Sequence, residues 1–179
     1  MTDFRLPRTI FGVRHRPGKA SQGILSLEGR TFRCALGKGG IAALKREGDG
    51  ATPLADLRVL GGYYRSDGVV PRRDRLGLTR IADDLGWCDA PDDRNYNRPV
   101  RLPYQASHER MRRRDRLYDV CIVLDWNISP RRRNCGSAIF LHIARPGYLP
   151  TEGCIALSPR DMQVILPLLS TRTVFRVMR

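Results

Sequence analysis

The sequence predicts a mainly β domain with one or two short helices, and three stretches support this prediction. Residues 119–126 (DVCIVLDW) form a nearly continuous apolar run rich in β-branched residues, which is typical of a strand buried on both faces. Residues 138–143 (AIFLHI) would alternate between the two faces of a second strand. Residues 158–161 (SPRD) combine a serine cap, an early proline and an acidic residue, which together begin a helix. Because a chain of 179 residues is long enough for one hydrophobic core, we expect residues 1–179 to form a single domain.

The first part of the chain predicts short strands separated by turns. Residues 1–20 are basic and interrupted by Pro and Gly, which predicts either a loose basic arm or an edge strand. Residues 23–27 and 31–36 predict a hairpin around a Glu-Gly-Arg turn. Residues 45–53 form a polar turn, because two glycines and a Thr-Pro pair cannot continue a helix, and residues 57–60 predict the strand that follows.

The later elements alternate between strands and short helical segments. Residues 107–119 (SHERMRRRDRLYD) predict a helix with Ser107 as its N-cap. The helix that begins at residue 158 should extend to about Ser170, with Pro167 bending or shortening it. Residues 173–178 (TVFRVM) predict a closing strand.

The charge of the chain favours anionic partners. The formal net charge is +14, and arginines cluster at residues 72–73, 112–114 and 131–133. No zinc-finger spacing or aromatic stacking motif accompanies them, so we expect no specific nucleic-acid partner. A basic face of this kind is solvated or attracts anionic peptides or glycan fragments.

The five cysteines include no Cys-x-x-Cys pair, and the three histidines are dispersed. We therefore expect neither a disulfide framework nor a metal site, and no cofactor. No apolar run is long enough to span a membrane, and the first residues lack the apolar segment of a signal peptide. This predicts a cytoplasmic protein, or a periplasmic one if a leader has been removed. The sequence leaves the oligomeric state open.

Residues 138–157 contain the pattern with most chemistry. His142 lies in one predicted strand, and a Pro/Gly loop returns the chain to Cys154, which opens the next strand. A thiol with an imidazole base, and with backbone N–H groups near Gly153 to hold an oxyanion, is what a cysteine acyltransferase needs. Taken separately, a buried cysteine and a histidine on an apolar face are more often packing residues.

The joint pattern of a strand histidine, a turn and Thr151-Glu152-Gly153-Cys154 resembles the L,D-transpeptidase catalytic domain (YkuD-like) family, in a cytosolic-looking branch. The segment Gly-Asp-Gly-x-Thr-Pro at 48–53 and the residues Trp-Cys-Asp at 87–89 add to the resemblance. The resemblance implies a β-sandwich-like fold with Cys154 as nucleophile and His142 as general base. It further implies that the backbone carbonyl of Ile143 orients the imidazole and that the Gly153 N–H helps to form the oxyanion hole.

The implied substrate is a peptidoglycan stem peptide or muropeptide, cleaved between the L-centre of a diamino acid and D-Ala. Six residues are candidate substrate contacts: Lys45, Asp49, His108, Tyr118, Thr151 and Glu152. The acidic stretch at residues 81–93 would either pair with the arginine clusters or position the amine of the diamino acid.

Three reactions or roles stay open. Release of the acyl group to water would make an L,D-carboxypeptidase that trims tetrapeptides to tripeptides, which is the expected function. Release to an amine would form 3-3 cross-links or exchange D-amino acids, and the third alternative is a non-enzymatic basic binding module.

Two residues depart from the pattern of the family. Glu152 stands where the family usually has His, and Ala156 stands where many members have Arg or Asn, so the preferences for acyl donor and acceptor are open. We expect an imidazolium at His142 to lower the pKa of Cys154.

Overall fold

The computed structural model describes residues 8–68 and 75–179. Within these ranges the chain forms fourteen strands and one α-helix. The strands are β1 (Ile10–Arg16), β2 (Lys19–Leu27), β3 (Arg30–Ala35), β4 (Ile41–Ala42), β5 (Thr52–Pro53), β6 (Asp56–Tyr64), β7 (Thr79–Arg80), β8 (Leu85–Cys88), β9 (Arg98–Arg101), β10 (His108–Arg110), β11 (Val120–Leu124), β12 (Phe140–Ile143), β13 (Ile155–Leu157) and β14 (Val174–Val177). The helix α1 (Pro159–Ile165) is followed by a 3₁₀ turn at Leu166–Leu168, and another 3₁₀ turn lies at Pro146–Tyr148.

The largest sheet has the strand order β11-β12-β13-β3-β2-β1-β14-β6-β7. Strand β11 also pairs with β6, so the sheet closes on itself. The mainly β, sandwich-like fold predicted from the sequence is therefore confirmed. Closure leaves β11 paired on both sides, which agrees with its five buried residues and its unbroken apolar sequence.

The core lies inside this closed sheet and is apolar. Alternate residues of the strands point inward, among them Phe11, Leu57, Ile122 and Leu141, each at most 1% exposed. Helix α1 covers one end with Met162 and Ile165. Its cap is the one that the sequence predicts, since Ser158 Oγ accepts from Asp161 N at 3.1 Å. The α-helical turns end earlier than residue 170, and the segment around Pro167 is a 3₁₀ turn.

A small sheet, β10-β8-β9, covers the outer face of β11 and β12. Trp87 of β8 packs edge-on against Phe140 of β12, with ring centroids 5.1 Å apart. Met111 and Tyr118 complete this second apolar cluster, which also includes Cys121 and Cys154. The outer face of β11 and β12 is thus buried under a cap rather than exposed to solvent.

The hairpin predicted around the Glu-Gly-Arg turn is present as β2 and β3, with Gly29 at φ 79°. The first strand differs from the prediction of a loose arm or an edge strand. Strand β1 pairs with β2 on one side and with β14 on the other, so it lies within the sheet. Residues 1–7 of that predicted arm, and the arginines at 72–73, lie outside the described residues.

The helix predicted over residues 107–119 is wrong. Residues 108–110 form β10, which pairs antiparallel with β8, and the chain then turns, with Arg116 at φ 62°. Arginines three and four residues apart would repel each other along a helix, and Met111 and Tyr118 fill separate sites in the cap cluster. Within the described residues no helix is long and apolar enough to cross a membrane.

Candidate active site

The parallel pairing of β12 and β13 brings Cys154 next to β12. Leu141 pairs with Ile155 and His142 with Ala156, so Cys154 lies beside Phe140 just before β13 begins. The Phe140 N–H donates to Cys154 Sγ at 3.3 Å, and the thiol donates to the Ala138 carbonyl at 3.1 Å. The sulfur is therefore held by two backbone groups on the outer face of the sheet.

Cys154 and His142 line one cavity of about 270 Å³ beneath the cap. Both side chains are mostly buried, with residue exposures of 6% and 5%. Three other predicted site residues, Tyr118, Thr151 and Glu152, also line this catalytic cavity. The loop between β12 and β13 thus returns the thiol to the cavity that contains the imidazole, as the sequence pattern predicts.

His142 is oriented by the backbone that follows it. Its Nδ1 lies 2.9 Å from the carbonyl oxygen of Ile143, which can only accept, so Nδ1 carries the proton and Nε2 is an acceptor in the neutral ring. The edge of Tyr118 contacts the imidazole, with centroids 5.2 Å apart. Burial lowers the pKa of His142 to about 4, although the bond to Ile143 opposes this shift. The ring is therefore a neutral base.

The charge state of Cys154 differs from the expected thiolate. Burial raises its pKa to about 12, the carboxylate of Glu109 adds to the rise, and the Phe140 N–H opposes it. The expectation that an imidazolium lowers the pKa is therefore wrong for the resting site, because neither His142 nor Cys154 is charged near neutral pH. Among the described residues, the thiol's hydrogen-bond partners are backbone groups and not the imidazole.

The turn before Cys154 is fixed by Thr151. Its hydroxyl donates to the Cys154 carbonyl at 2.7 Å and accepts from the Gly153 N–H at 3.2 Å. Gly153 has φ 134°, and a Cβ there would lie 2.8 Å from the Ala51 carbonyl oxygen, so only glycine fits. The hydroxyl of Thr151 thus fixes the position of the Gly153 N–H in the resting site.

Three of the predicted substrate contacts have other partners. His108 hydrogen-bonds the Ala106 carbonyl through Nδ1 at 2.8 Å and does not line the catalytic cavity. Lys45 is buried and bonds Asp49, which in turn accepts from the N–H groups of Arg46 and Ala51. Lys45 and Asp49 therefore stabilise the turn at residues 45–53 rather than line the cavity. Even so, the charge of Lys45 lowers the pKa of Cys154.

Glu152 lines the cavity mouth with its charge paired. Its carboxylate lies 2.7 Å from Lys38 Nζ, and both side chains are largely exposed. An exposed pair of this kind contributes little to stability. The negative charge at this position is therefore offset by a neighbouring cation.

The acidic stretch at residues 81–93 is mostly structural. Asp83, Asp84 and Asp92 pair with arginines, and Asp93 accepts from the Tyr104 hydroxyl at 2.7 Å. Asp89 alone of the five lines the catalytic cavity, and its buried Oδ1 has no hydrogen-bond partner among the described residues. Pairing with arginine thus explains three aspartates, whereas Asp89 is available to a ligand.

Sequence reasoning missed two carboxylates of this cavity, Glu109 and Glu47. Glu109 accepts from the Tyr118 hydroxyl, and burial raises its pKa. The alternation of β10 places Glu109 opposite the flanking His108 and Arg110, whereas the sequence pattern of this segment predicts a helix. Glu47 accepts from the hydroxyl of Tyr96, which lies 49 residues further along the chain.

Comparison with known proteins assigns the chain to a family. Among the described residues no group of three His, Cys, Asp or Glu side chains could hold a metal ion. The family model of YkuD, the L,D-transpeptidase catalytic domain, matches residues 24–177. The searches of curated proteins and of solved structures gave no significant match. The chain belongs to the L,D-transpeptidase catalytic domain family, which supports cysteine acyl transfer on peptidoglycan stem peptides.

Proposed function

We propose that this protein is a cysteine L,D-carboxypeptidase that removes D-Ala from a tetrapeptide stem and leaves a tripeptide. The observation that supports this proposal most directly is the presence of Cys154 and His142 in one cavity, with Nδ1 held by the Ile143 carbonyl. That bond leaves Nε2 free to accept a proton. The family supplies the reaction class, and the finer choice of hydrolysis is our proposal.

In the proposed reaction the thiol leaves the Ala138 carbonyl and attacks the carbonyl carbon at the L-centre of the diamino acid. The thiol proton passes to Nε2 of His142 as the C–S bond forms, because neither group is charged at rest. The C–N bond then breaks and Nε2 returns the proton to the nitrogen of D-Ala. Water attacks the thioester, gives its proton to Nε2, and the sulfur leaves and is reprotonated.

We propose water as the acceptor because the thiol that would carry the acyl group is mostly buried beneath the cap, at 6% exposure. Cross-linking requires a second peptide beside the thioester, whereas hydrolysis requires only a water molecule. The proposed product is therefore a free tripeptide.

The carboxylates of the cavity fit an amine on the substrate. Asp89, Glu109 and Glu47 line the cavity and have no guanidinium partner within hydrogen-bond distance among the described residues. We propose that Asp89 and Glu109 receive the ammonium of the diamino acid. A bound cation would also offset the charge of Glu109 that raises the pKa of Cys154.

We further propose a cytoplasmic role in recycling stem peptides. All five cysteines are free, which is the usual state in a reducing compartment. Cell fractionation tests this proposal, and detection of the protein only in a periplasmic fraction would contradict it.

Mass spectrometry of the purified protein with a tetrapeptide that ends in diamino acid–D-Ala tests the reaction. We expect free D-Ala, free tripeptide and, after rapid quenching, an acyl adduct on Cys154. A cross-linked dimer or exchange of D-Ala for an added D-amino acid would show transpeptidation instead. Turnover that persists in Cys154→Ala would reject cysteine catalysis, and binding without turnover in the wild type would favour a binding module.

A further inference from the structure

A second concavity, of about 530 Å³, lies beside the catalytic cavity and is lined almost entirely by arginines. We call it the arginine concavity. Its arginines come from the end of β6 and from the segment after β10: Arg65, Arg110, Arg112, Arg113, Arg114 and Arg116. Asp83 is the acidic residue among its lining side chains. Its chemistry is therefore opposite to that of the catalytic cavity, which contains several carboxylates.

The backbone brings these arginines together. Strand β10 ends at Arg110, and the buried Met111 anchors the turn that follows to the cap cluster. Arg65 Nη1 donates to the Arg113 carbonyl at 2.6 Å, and the Arg65 N–H donates to the Asp119 carbonyl at 2.9 Å. The first bond connects the end of β6 to the arginine-rich turn and the second connects it to the residue before β11, so Arg65 and the turn border the same concavity.

Four of the six arginines are paired with carboxylates. Arg65 Nη2 lies 2.6 Å from Asp67 Oδ2, and Arg112 Nε lies 3.1 Å from Asp83 Oδ1. Arg113 pairs with Asp115, and Arg116 pairs with Asp119. In contrast, Arg110 and Arg114 are exposed and have no ion pair among the described residues. The concavity therefore presents two uncompensated guanidinium groups, with four further arginines whose positions are fixed by their own partners.

We propose that the arginine concavity binds a diphosphate-type oxyanion carried by the substrate. Guanidinium groups bind phosphate oxygens through paired N–H donors, and a diphosphate matches two uncompensated positive charges. A single carboxylate would occupy only one of them. The volume also suits a group larger than a carboxylate, since it falls within the roughly 300–1,000 Å³ that is usual for ligand sites.

Arg113 connects this site to the proposed reaction. It lines both the arginine concavity and the catalytic cavity, and its guanidinium lies over the Tyr118 ring at 5.0 Å. A substrate with its peptide end at Cys154 can therefore extend past Arg113 and place a phosphate group among the other arginines. The inference rests on the proposed function for the identity of the peptide end, but not for the oxyanion site itself.

Titration calorimetry with inorganic pyrophosphate tests the site in the full chain carrying Cys154→Ala, so that turnover plays no part. At about 0.15 M salt, where surface charges are screened beyond about 8 Å, we expect saturable binding. The pair Arg110→Gln with Arg114→Gln should weaken that binding at least tenfold. The matched pair Arg160→Gln with Arg172→Gln removes the same charge from exposed positions outside the concavity and should change binding less than twofold.

Equal weakening by both pairs, or no saturable binding, would overturn the proposal. Glutarate that competes as well as pyrophosphate would assign the site to carboxylates, and a short DNA duplex that binds more tightly at the same salt would assign it to nucleic acid. Either result would also overturn the proposal. Because the readout is direct binding, loss of carboxypeptidase activity in the wild type would reject the proposed function without affecting this test.

Discussion

The inner and outer faces of β11 and β12 share one backbone but differ in chemistry. The inner face carries Ile122 and Leu141, both fully buried among apolar neighbours. The outer face carries Cys121 and His142, which are direct partners across the two strands. The inner face is packed inside the closed sheet, whereas the outer face is covered by a separate cap that leaves a cavity. Strand alternation thus separates the residues that stabilise the fold from those that can react.

Cys34 and Cys154 show why burial alone does not identify the reactive side chain. Burial raises the pKa of each thiol to about 12. Cys34 belongs to the inner apolar core, while Cys154 borders a cavity that also contains an imidazole and several carboxylates. The difference lies in what a ligand can reach, and the experiments below test that difference.

The largest effect is expected from removing the outer cysteine. Cys154→Ala should lower kcat by about 10⁴-fold or more, since loss of a nucleophile removes the covalent step. Cys34→Ala is the matched control, because it removes a thiol of the same pKa from the inner core. Steady-state release of D-Ala, corrected for folded protein, measures both. Equal loss of activity in the two variants would contradict the separation of the faces.

The inner face should matter most for stability. Leu141→Ala should lower the free energy of unfolding by about 2–5 kcal/mol, because it leaves a cavity in a packed core. Urea denaturation measures the loss. The exposed Leu149→Ala at the cavity rim is the control, and we expect a change within about 0.5 kcal/mol. A similar loss in both variants would show that the inner face is not the stabilising one.

The buried imidazole predicts an acid-dependent loss of stability. The folded pKa of His142, about 4, lies below its ordinary value of 6.5, so protonation favours the unfolded chain. Its contribution is fully present above pH 6.5 and is lost as the pH falls towards 4, by about 3 kcal/mol in total. His142→Gln should reduce the loss of stability between pH 7 and 4.5.

Chemical denaturation at both pH values measures this difference. The exposed Leu149→Ala, which removes no titratable group, is the control and should retain the wild-type pH dependence. Identical pH dependence in His142→Gln and the wild type would refute the neutral, buried state of the ring.

The resting thiol should be slow to alkylate. With a pKa of about 12, Cys154 has a very small thiolate fraction at pH 7, and its higher intrinsic nucleophilicity offsets only part of that deficit. We expect alkylation by iodoacetamide roughly 100-fold slower than for an ordinary exposed thiol, with a rate that rises with pH through pH 9. Peptide mass spectrometry of Cys154 follows the reaction. A plateau at neutral pH would indicate the thiolate state that the structure argues against.

The smallest effect is expected at the turn that presents the cysteine. Thr151→Val removes the hydroxyl that bonds both the Cys154 carbonyl and the Gly153 N–H. Loss of these bonds should lower kcat about tenfold, which corresponds to about 1.4 kcal/mol. Thr151→Ser keeps the hydroxyl and should restore most of the rate. Failure of serine to do so would assign the effect to packing of the methyl group.

The elements with a strong local pattern could be predicted from the sequence. Three such elements are the apolar run of β11, the Glu-Gly-Arg turn before β3 and the Ser158 cap. In each, the local preference of the residues agrees with the structure that they form. The segment that contains β10 could not be predicted in this way. Its three strand residues give too short an alternation of side chains to outweigh the helix-like cap and charge pattern of residues 107–119. That one error concealed Glu109 as a residue of the cavity.

The candidate site was predictable in its residue types and less so in its charges. The spacing of His142 and Cys154 indicated the pair, and the β12–β13 register brings them to one cavity. The pKa values depend on how deeply the cap covers the cavity, which is a property of tertiary packing. The arginine segment after β10 likewise borders its concavity together with Arg65, which lies about fifty residues earlier in the chain.

Strand β14 occupies the position between β1 and β6 in the closed sheet. During synthesis its residues emerge after those of both partners, so the sheet stays open at that position until Val174–Val177 are available. A nascent chain that lacks this strand exposes the hydrogen-bonding edges of two partners to other chains. Insertion of β14 between β1 and β6 is therefore the step that covers both of these edges.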